Sequence, residues 1–177
     1  MAAPDPDPGP LPLLTLVLGG QRSGKSAYAE GLIGDVAAIY LATGEALDGE
    51  MADRIARHQD RRGANWTAVE EPVDLVAALG RLASGPTPVL LDSLGMWVAN
   101  LLGGKKNVAG ETSALINTLK ILTCPVVIVS DEAGLGIIPD NALARAYLDA
   151  MGTANQALAA AADSVILVVA GLPQKLK

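Results

Sequence analysis

Apolar residues in this chain cluster in short continuous runs, at residues 13–18, 37–41, 89–91, 125–129 and 165–170. They do not alternate with polar ones, so they predict strands buried on both faces, as in a parallel sheet. Between them the spacing turns helical. Helices are predicted over 25–33, 49–62, 72–83, 94–102, 111–122 and 140–162. Asp48 and Asp140 stand at two of the starts as caps, and Pro72 at the first position of a third. Residues 66–70 form a short extra segment, and residues 103–110 a polar connector, the segment expected to flex. Strand and helix thus alternate five times, which predicts an α/β domain: a mostly parallel sheet with helices on both faces.

The first predicted strand runs into Gly19-Gly20-Gln21-Arg22-Ser23-Gly24-Lys25-Ser26, which satisfies G-x-x-x-x-G-K-[ST]. Glycines at this spacing let the backbone curl so that successive N–H groups face a phosphate chain. Lys25 then reaches the β/γ-phosphates and the Ser26 hydroxyl binds Mg²⁺. The plain alternative is a chance turn in a chain with 19 glycines, but a strand before it and a helix after it are the setting the motif requires. Val89-Leu90-Leu91-Asp92 is a buried strand ending in an acid, a second metal-binding element with Asp92 as the ligand. Alone, Asp92 is equally well a cap for the helix over 94–102. Ala42-Thr43-Gly44 turns off the end of another strand, where ligands of open α/β sheets bind.

Composition narrows the partners. The 177 residues suit one domain, and the hydrophobic half contains no Phe, so the core is built from Ala, Val, Leu and Ile. The net charge of −6 argues against nucleic acid and anionic membranes as partners. Cys124 stands alone, which excludes an internal disulfide and suggests a small buried residue. Residues 1–12 are rich in Pro and Asp and read as a disordered lead-in to a catalytic domain over 13–177. The stretch over 157–172 is interrupted by Asp163 and Ser164, so no membrane span is predicted and the expected location is cytoplasmic.

Taken together, several segments resemble the bifunctional adenosylcobinamide kinase / adenosylcobinamide-phosphate guanylyltransferase family of cobalamin biosynthesis. They are Gly19 to Ser26 with Ala29-Glu30, Tyr40-Leu41-Ala42-Thr43, Glu50-Met51-x-x-Arg54-Ile55-x-x-His58, Trp66 and Glu70, Leu90-Leu91-Asp92, and Asn100-Leu101-Leu102. Val129-Ser130 with Glu132, Asn155-Gln156 and the ending Gly171-Leu172-Pro173 complete them. The resemblance implies a P-loop NTPase-like fold, Mg²⁺, GTP and ATP as substrates, adenosylcobinamide as the corrinoid acceptor, and a homo-oligomer, with a trimer as the expected form.

It also changes the standing of His58. From its place on an apolar helix face, after Met51 and Ile55, a lone histidine reads as a packing or surface residue. The resemblance makes it the nucleophile that forms a guanylyl-histidine, with Lys25 supporting phosphate transfer. Carried over as nucleotide contacts are Gly19, Gly20, Gln21, Arg22, Ser23, Gly24, Lys25, Ser26, Ala42, Thr43, Gly44, Gln59, Asp60, Arg61, Arg62, Glu70 and Asp92, with Ser26 and Asp92 on the metal. Glu70 could read a guanine edge, or be an ordinary exposed acid. Where the family has Ser-Asn-Glu-Val-Gly, this chain has Ser130-Asp131-Glu132-Ala133-Gly134, which adds a negative charge where phosphates pass.

Two other readings stay open at this point. One is a plain P-loop small-molecule kinase without guanylyl transfer. The other is a GTP-dependent switch, suggested by D-x-x-G at Asp92 to Gly95 but lacking the guanine-reading N-K-x-D element.

Overall fold

In a computed structural model, residues 10–44, 65–82 and 85–177 are described, and the statements below concern these. Seven strands form one sheet: β1 (Leu14–Gly19), β2 (Ala38–Ala42), β3 (Trp66–Glu70), β4 (Val89–Asp92), β5 (Val126–Asp131), β6 (Ser164–Val169) and β7 (Leu172–Lys175). The order across the sheet is β3-β2-β4-β5-β1-β6-β7, and every pairing is parallel except β6 with β7. Five helices connect them: α1 (Lys25–Ile33), α2 (Leu75–Leu82), α3 (Leu94–Gly103), α4 (Val108–Leu119) and α5 (Ala142–Ala161). The predicted α/β class holds.

The continuous apolar runs are explained by the two faces they serve. Leu14, Leu16 and Leu18 point into the larger core with Leu79, Trp97, Leu101, Leu115, Met151 and Leu158. Val17, between them, points the other way, into a second core with Ala29 and Ile33 of α1 and with Tyr40, Val127 and Val168. A strand with apolar neighbours on both sides cannot alternate with polar residues without burying them. Trp97 anchors the larger core, and its indole N–H donates to the Val73 carbonyl at 2.8 Å, so its one polar atom is satisfied.

Several element ends depart from the sequence expectation, each because a neighbouring side chain captures the terminus. Pro72 does not open a helix: the Glu71 carboxylate accepts from the Val73 and Asp74 amides, Asp74 accepts from Ala77 N–H, and α2 starts at Leu75. The expected connector over 103–110 shrinks to residues 104–107, because α3 runs to Gly103 and Asn107 caps α4 by accepting from Gly110 N–H. Asn141, not Asp140, caps α5 by accepting from Leu143 and Ala144.

The segment at 66–70 is an edge strand, and β7 was not foreseen at all. β7 folds back through a turn in which Ala170 and Gly171 both have positive φ (52° and 80°), which suits a tight hairpin. Behind it the Lys177 ammonium donates to the carbonyls of Ala159, Ala160 and Ala162, covering the end of α5. Cys124 is buried as expected, and burial pushes its thiol pKa up. Of the expected lead-in, residues 1–9 lie outside the described residues, and Leu11 packs against the second core. No helix among the described residues is long and apolar enough to cross a membrane.

Candidate active site

The six parallel strands β1 to β6 end on one edge of the sheet, and their registers align those ends. Gly19 lies opposite Asp131, Ala42 lies opposite both Asp92 and Glu70, and Asp92 lies opposite Val129. The site residues taken from the described part of the chain therefore form a row along the carboxyl edge, the place where open α/β sheets bind ligands.

The glycine-rich loop occupies the β1 end of this row. Gly19 must be glycine: a Cβ there would meet the Val168 carbonyl oxygen at 2.8 Å and crowd the Ser23 hydroxyl. Ser23 N–H donates to Gly20 O at 3.2 Å, closing the turn, and Arg22 and Gly24 take positive φ of 57° and 96°. Left-handed residues at this spacing turn successive amides to one side, as in an anion-binding nest. Gly24 is also pressed by the C-terminal hairpin: its Cβ would lie 3.3 Å from Gly171 Cα, while Gly171 N–H donates to Ser23 O at 2.8 Å. The Gly171-Leu172-Pro173 ending thus braces the loop from behind.

Helix α1 starts directly after the loop, with no side-chain cap and no acid in its first turn, so its leading amides face the loop. The Ser23 hydroxyl is buried without a hydrogen-bond partner among the described residues. An orphaned donor beside uncapped amides suits an oxygen-rich anion.

Lys25 is folded back into this concavity and buried. Its ammonium donates to Gly20 O at 3.2 Å and forms an ion pair with Asp131 Oδ1 at 2.7 Å. The residue that departs from the family pattern is thus the direct partner of the loop lysine. Its place is fixed from three sides. Glu132 N–H donates to Gly19 O, extending the ladder, and Asn155 Nδ2 donates to Asp131 O at 3.0 Å while its own carbonyl accepts from Ser130 Oγ at 2.6 Å. Gly95, in the first turn of α3, leaves the space: a methyl there would collide with the Asp131 carboxylate and the Tyr147 hydroxyl. Burial, and after it the charge of Asp131, pushes the Tyr147 phenol up to about 12.

The other half of the row is held by hydrogen bonds that are neutral or have one charged partner. Asp92 does not cap α3, since Ser93 does so by accepting from Met96 N–H. One Asp92 oxygen instead accepts from Tyr40 OH at 3.0 Å. Thr43 is fully buried, and its hydroxyl donates to Ser93 O at 2.6 Å and accepts from Ser93 N–H at 3.0 Å. Asn100 then donates to the carbonyls of Thr43 and Pro72. The Thr43 hydroxyl thus joins the end of β2 to the end of β4.

Glu70 is exposed at the end of edge strand β3, four strands from β1 in the sheet order. At the usual inter-strand spacing that is roughly 19 Å from the phosphate loop. The fold therefore brings Gly19 to Ser26 together with Asp131, and leaves Glu70 at the opposite end of the row. His58, Gln59, Asp60, Arg61 and Arg62 lie outside the described residues. Among the described residues no three His, Cys, Asp or Glu side chains gather as a metal cluster. The Ser26 hydroxyl and the Asp92 carboxylate are hard oxygen donors. A few such donors suit Mg²⁺, which takes most of its remaining ligands from phosphate and water.

Residues missed by reading the sequence were Asp131 as the lysine's partner, Gly95, Tyr147 and Asn100. A weaker form of the signal that selected Asp92, an apolar strand ending in an acid, is present in Val126 to Asp131, where Ser130 stands between the apolar run and the acid.

Residues 15–176 match the family model described as cobinamide kinase / cobinamide phosphate guanyltransferase. A bifunctional adenosylcobalamin biosynthesis protein, CobP, of Pseudomonas aeruginosa is 43% identical, with the match covering 92% of this chain and 96% of that protein. The CobU proteins of Salmonella typhimurium and Escherichia coli, which carry the same bifunctional description, are 41% and 39% identical, in each case over 93% of this chain and the whole of the relative.

Proposed function

The chain belongs to the cobinamide kinase / cobinamide phosphate guanyltransferase family, and on that premise we propose that it catalyses both reactions on adenosylcobinamide. In the first, the acceptor hydroxyl oxygen attacks the γ-phosphorus of ATP or GTP. The bond to the bridging oxygen breaks, the nucleoside diphosphate leaves, and the hydroxyl proton is lost to solvent. In the second, a neutral His58 imidazole nitrogen attacks the α-phosphorus of GTP and pyrophosphate leaves. The new phosphate of the acceptor then attacks the guanylyl-histidine, the P–N bond breaks, and adenosylcobinamide-GDP is released.

One observation carries this reading: a buried lysine folded into a curled glycine loop at the uncapped N-terminus of α1. Both reactions move negative charge between phosphate oxygens, and fixed N–H groups with an ammonium stabilise that charge without reorganising. Ser26 and Asp92 would hold Mg²⁺, which neutralises phosphate charge when bound. Tyr40 orients Asp92 for that role through its hydrogen bond. Ala42, Gly44, Gln59 to Arg62 and Glu70 are assigned the rest of the nucleotide. A homo-oligomer and a cytoplasmic location complete the proposal.

GTP labelled in its α-phosphate tests the guanylyl step. The native protein should acquire an acid-labile, alkali-stable label, and His58→Ala should lose it while keeping kinase turnover. Absence of label in the native protein, or label surviving His58→Ala, would leave the plain kinase as the better reading.

A further inference from the structure

The proposed function accounts for Lys25 but not for the carboxylate that holds it. An ammonium in a phosphate-binding loop normally awaits phosphate, yet here it contacts Asp131 at 2.7 Å as well as Gly20 O. The contact is built in. The β5 register, the Glu132 amide and the Asn155 amide hold the backbone of Asp131 beside Gly19, and Gly95 leaves room for its side chain. Rotation about the side-chain bonds of either residue, rather than movement of the Asp131 backbone, separates the carboxylate from the lysine.

We propose that Asp131 is a resident counter-ion of Lys25, which the nucleotide's phosphate chain must displace, and that it thereby sets how tightly nucleotide is held and how readily the diphosphate product leaves. The inference rests on the reading that Gly19 to Ser26 binds the nucleotide. The charges fix its direction. A polyphosphate carries several negative charges against one on Asp131, so it wins the lysine. The displaced carboxylate, its backbone tied down, stays close to the phosphates and repels them. The pair is open to solvent on the carboxylate side: the Lys25 side chain is buried at 8% exposed, and that of Asp131 is 29% exposed. A fully buried pair would resist opening, whereas one whose carboxylate is open to solvent lies nearer the exposed limit of about 1 kcal/mol. When product forms, return of the carboxylate to Lys25 assists its departure. The Tyr147 hydroxyl, which also borders the Gly95 gap, flanks the carboxylate on that side.

The test is equilibrium binding of inorganic tripolyphosphate, GDP and GTP to the whole chain, native and Asp131→Asn. Asp131→Asn should tighten all three by a similar factor, about fivefold from the worth of such a pair, and slow GDP dissociation. In a Lys25→Ala background the same substitution should have much less effect, because the competition acts through the lysine. Equal or weaker binding by Asp131→Asn overturns the proposal, and so does an undiminished gain in the Lys25→Ala background. If Asp131→Asn fails to fold, Asp131→Ala carries the same expectation and the same refutation. Native protein that binds neither GTP nor tripolyphosphate refutes the nucleotide-loop reading itself, a result distinct from native binding that Asp131→Asn leaves unchanged.

Discussion

The two halves of the carboxyl edge are held in opposite ways. At the β1 and β5 end, a charged pair of Lys25 and Asp131 spans the loop, and the backbone turns left-handed at Arg22 and Gly24. At the β2 and β4 end, Thr43, Ser93, Asn100, Tyr40 and Asp92 join neighbouring strands by neutral or singly charged hydrogen bonds. Ionic contacts can be exchanged for a ligand of greater charge. A buried hydroxyl bonded on both sides has nothing to exchange, because breaking either bond leaves an unsatisfied group. The Lys25–Asp131 contact is therefore equipped for exchange with phosphate, and the Thr43–Ser93–Asn100 bonds for rigidity.

The largest expected effect tests the exchangeable half. Lys25→Ala should lower both the kinase and the guanylyl-transfer rates by roughly a hundred- to a thousandfold, the usual loss for one donor to a developing oxyanion, with little change in thermal stability. Activity surviving in either reaction would separate that reaction from the loop. Smaller, and opposite in kind, is Asn100→Leu. It deprives the Thr43 and Pro72 carbonyls of their donor and should cost about 1–3 kcal/mol of stability, read from denaturant midpoints, while tripolyphosphate binding changes little. A drop in phosphate binding as large as that of Lys25→Ala would erase the distinction between the halves.

The smallest effect is a titration. Tyr147 has its folded-state pKa raised from 10.0 to about 12, first by burial and then by Asp131. In the folded state it therefore keeps its proton where the unfolded chain has lost it. Its contribution to stability is complete below about pH 10 and is lost as the pH rises through 12. Ultraviolet difference titration, with Tyr147→Phe identifying the signal, should show this high transition in the native protein. Asp131→Asn should move it down by removing the carboxylate charge. An unmoved transition would mean that the carboxylate does not act on this phenol.

Much of the architecture was legible in the residues because it depends on local rules. Continuous apolar runs announced buried parallel strands, and α1 began and ended where the loop lysine and Gly34 indicated. Helix starts were less legible at Pro72, Asp140 and the 103–110 connector, because the capping side chain that prevailed lay one or a few residues away from the one expected. β7 escaped because Leu172 to Lys175 has no apolar run, and its pairing is supplied by β6.

The sequence by itself determined that a phosphate-binding loop lies between a buried strand and a helix, and its motifs matched one family along nearly the whole chain. Local geometry suffices for that, since the glycines and the lysine act within one turn of backbone. Only the tertiary structure decided what the loop lysine touches. Strand order places β5 beside β1, and that adjacency, which no local pattern encodes, makes Asp131 the partner of Lys25 and leaves Asp92 one strand further along the edge. Two acids at the ends of apolar strands thus take different places because pairing between distant strands is settled by the packing of the whole sheet.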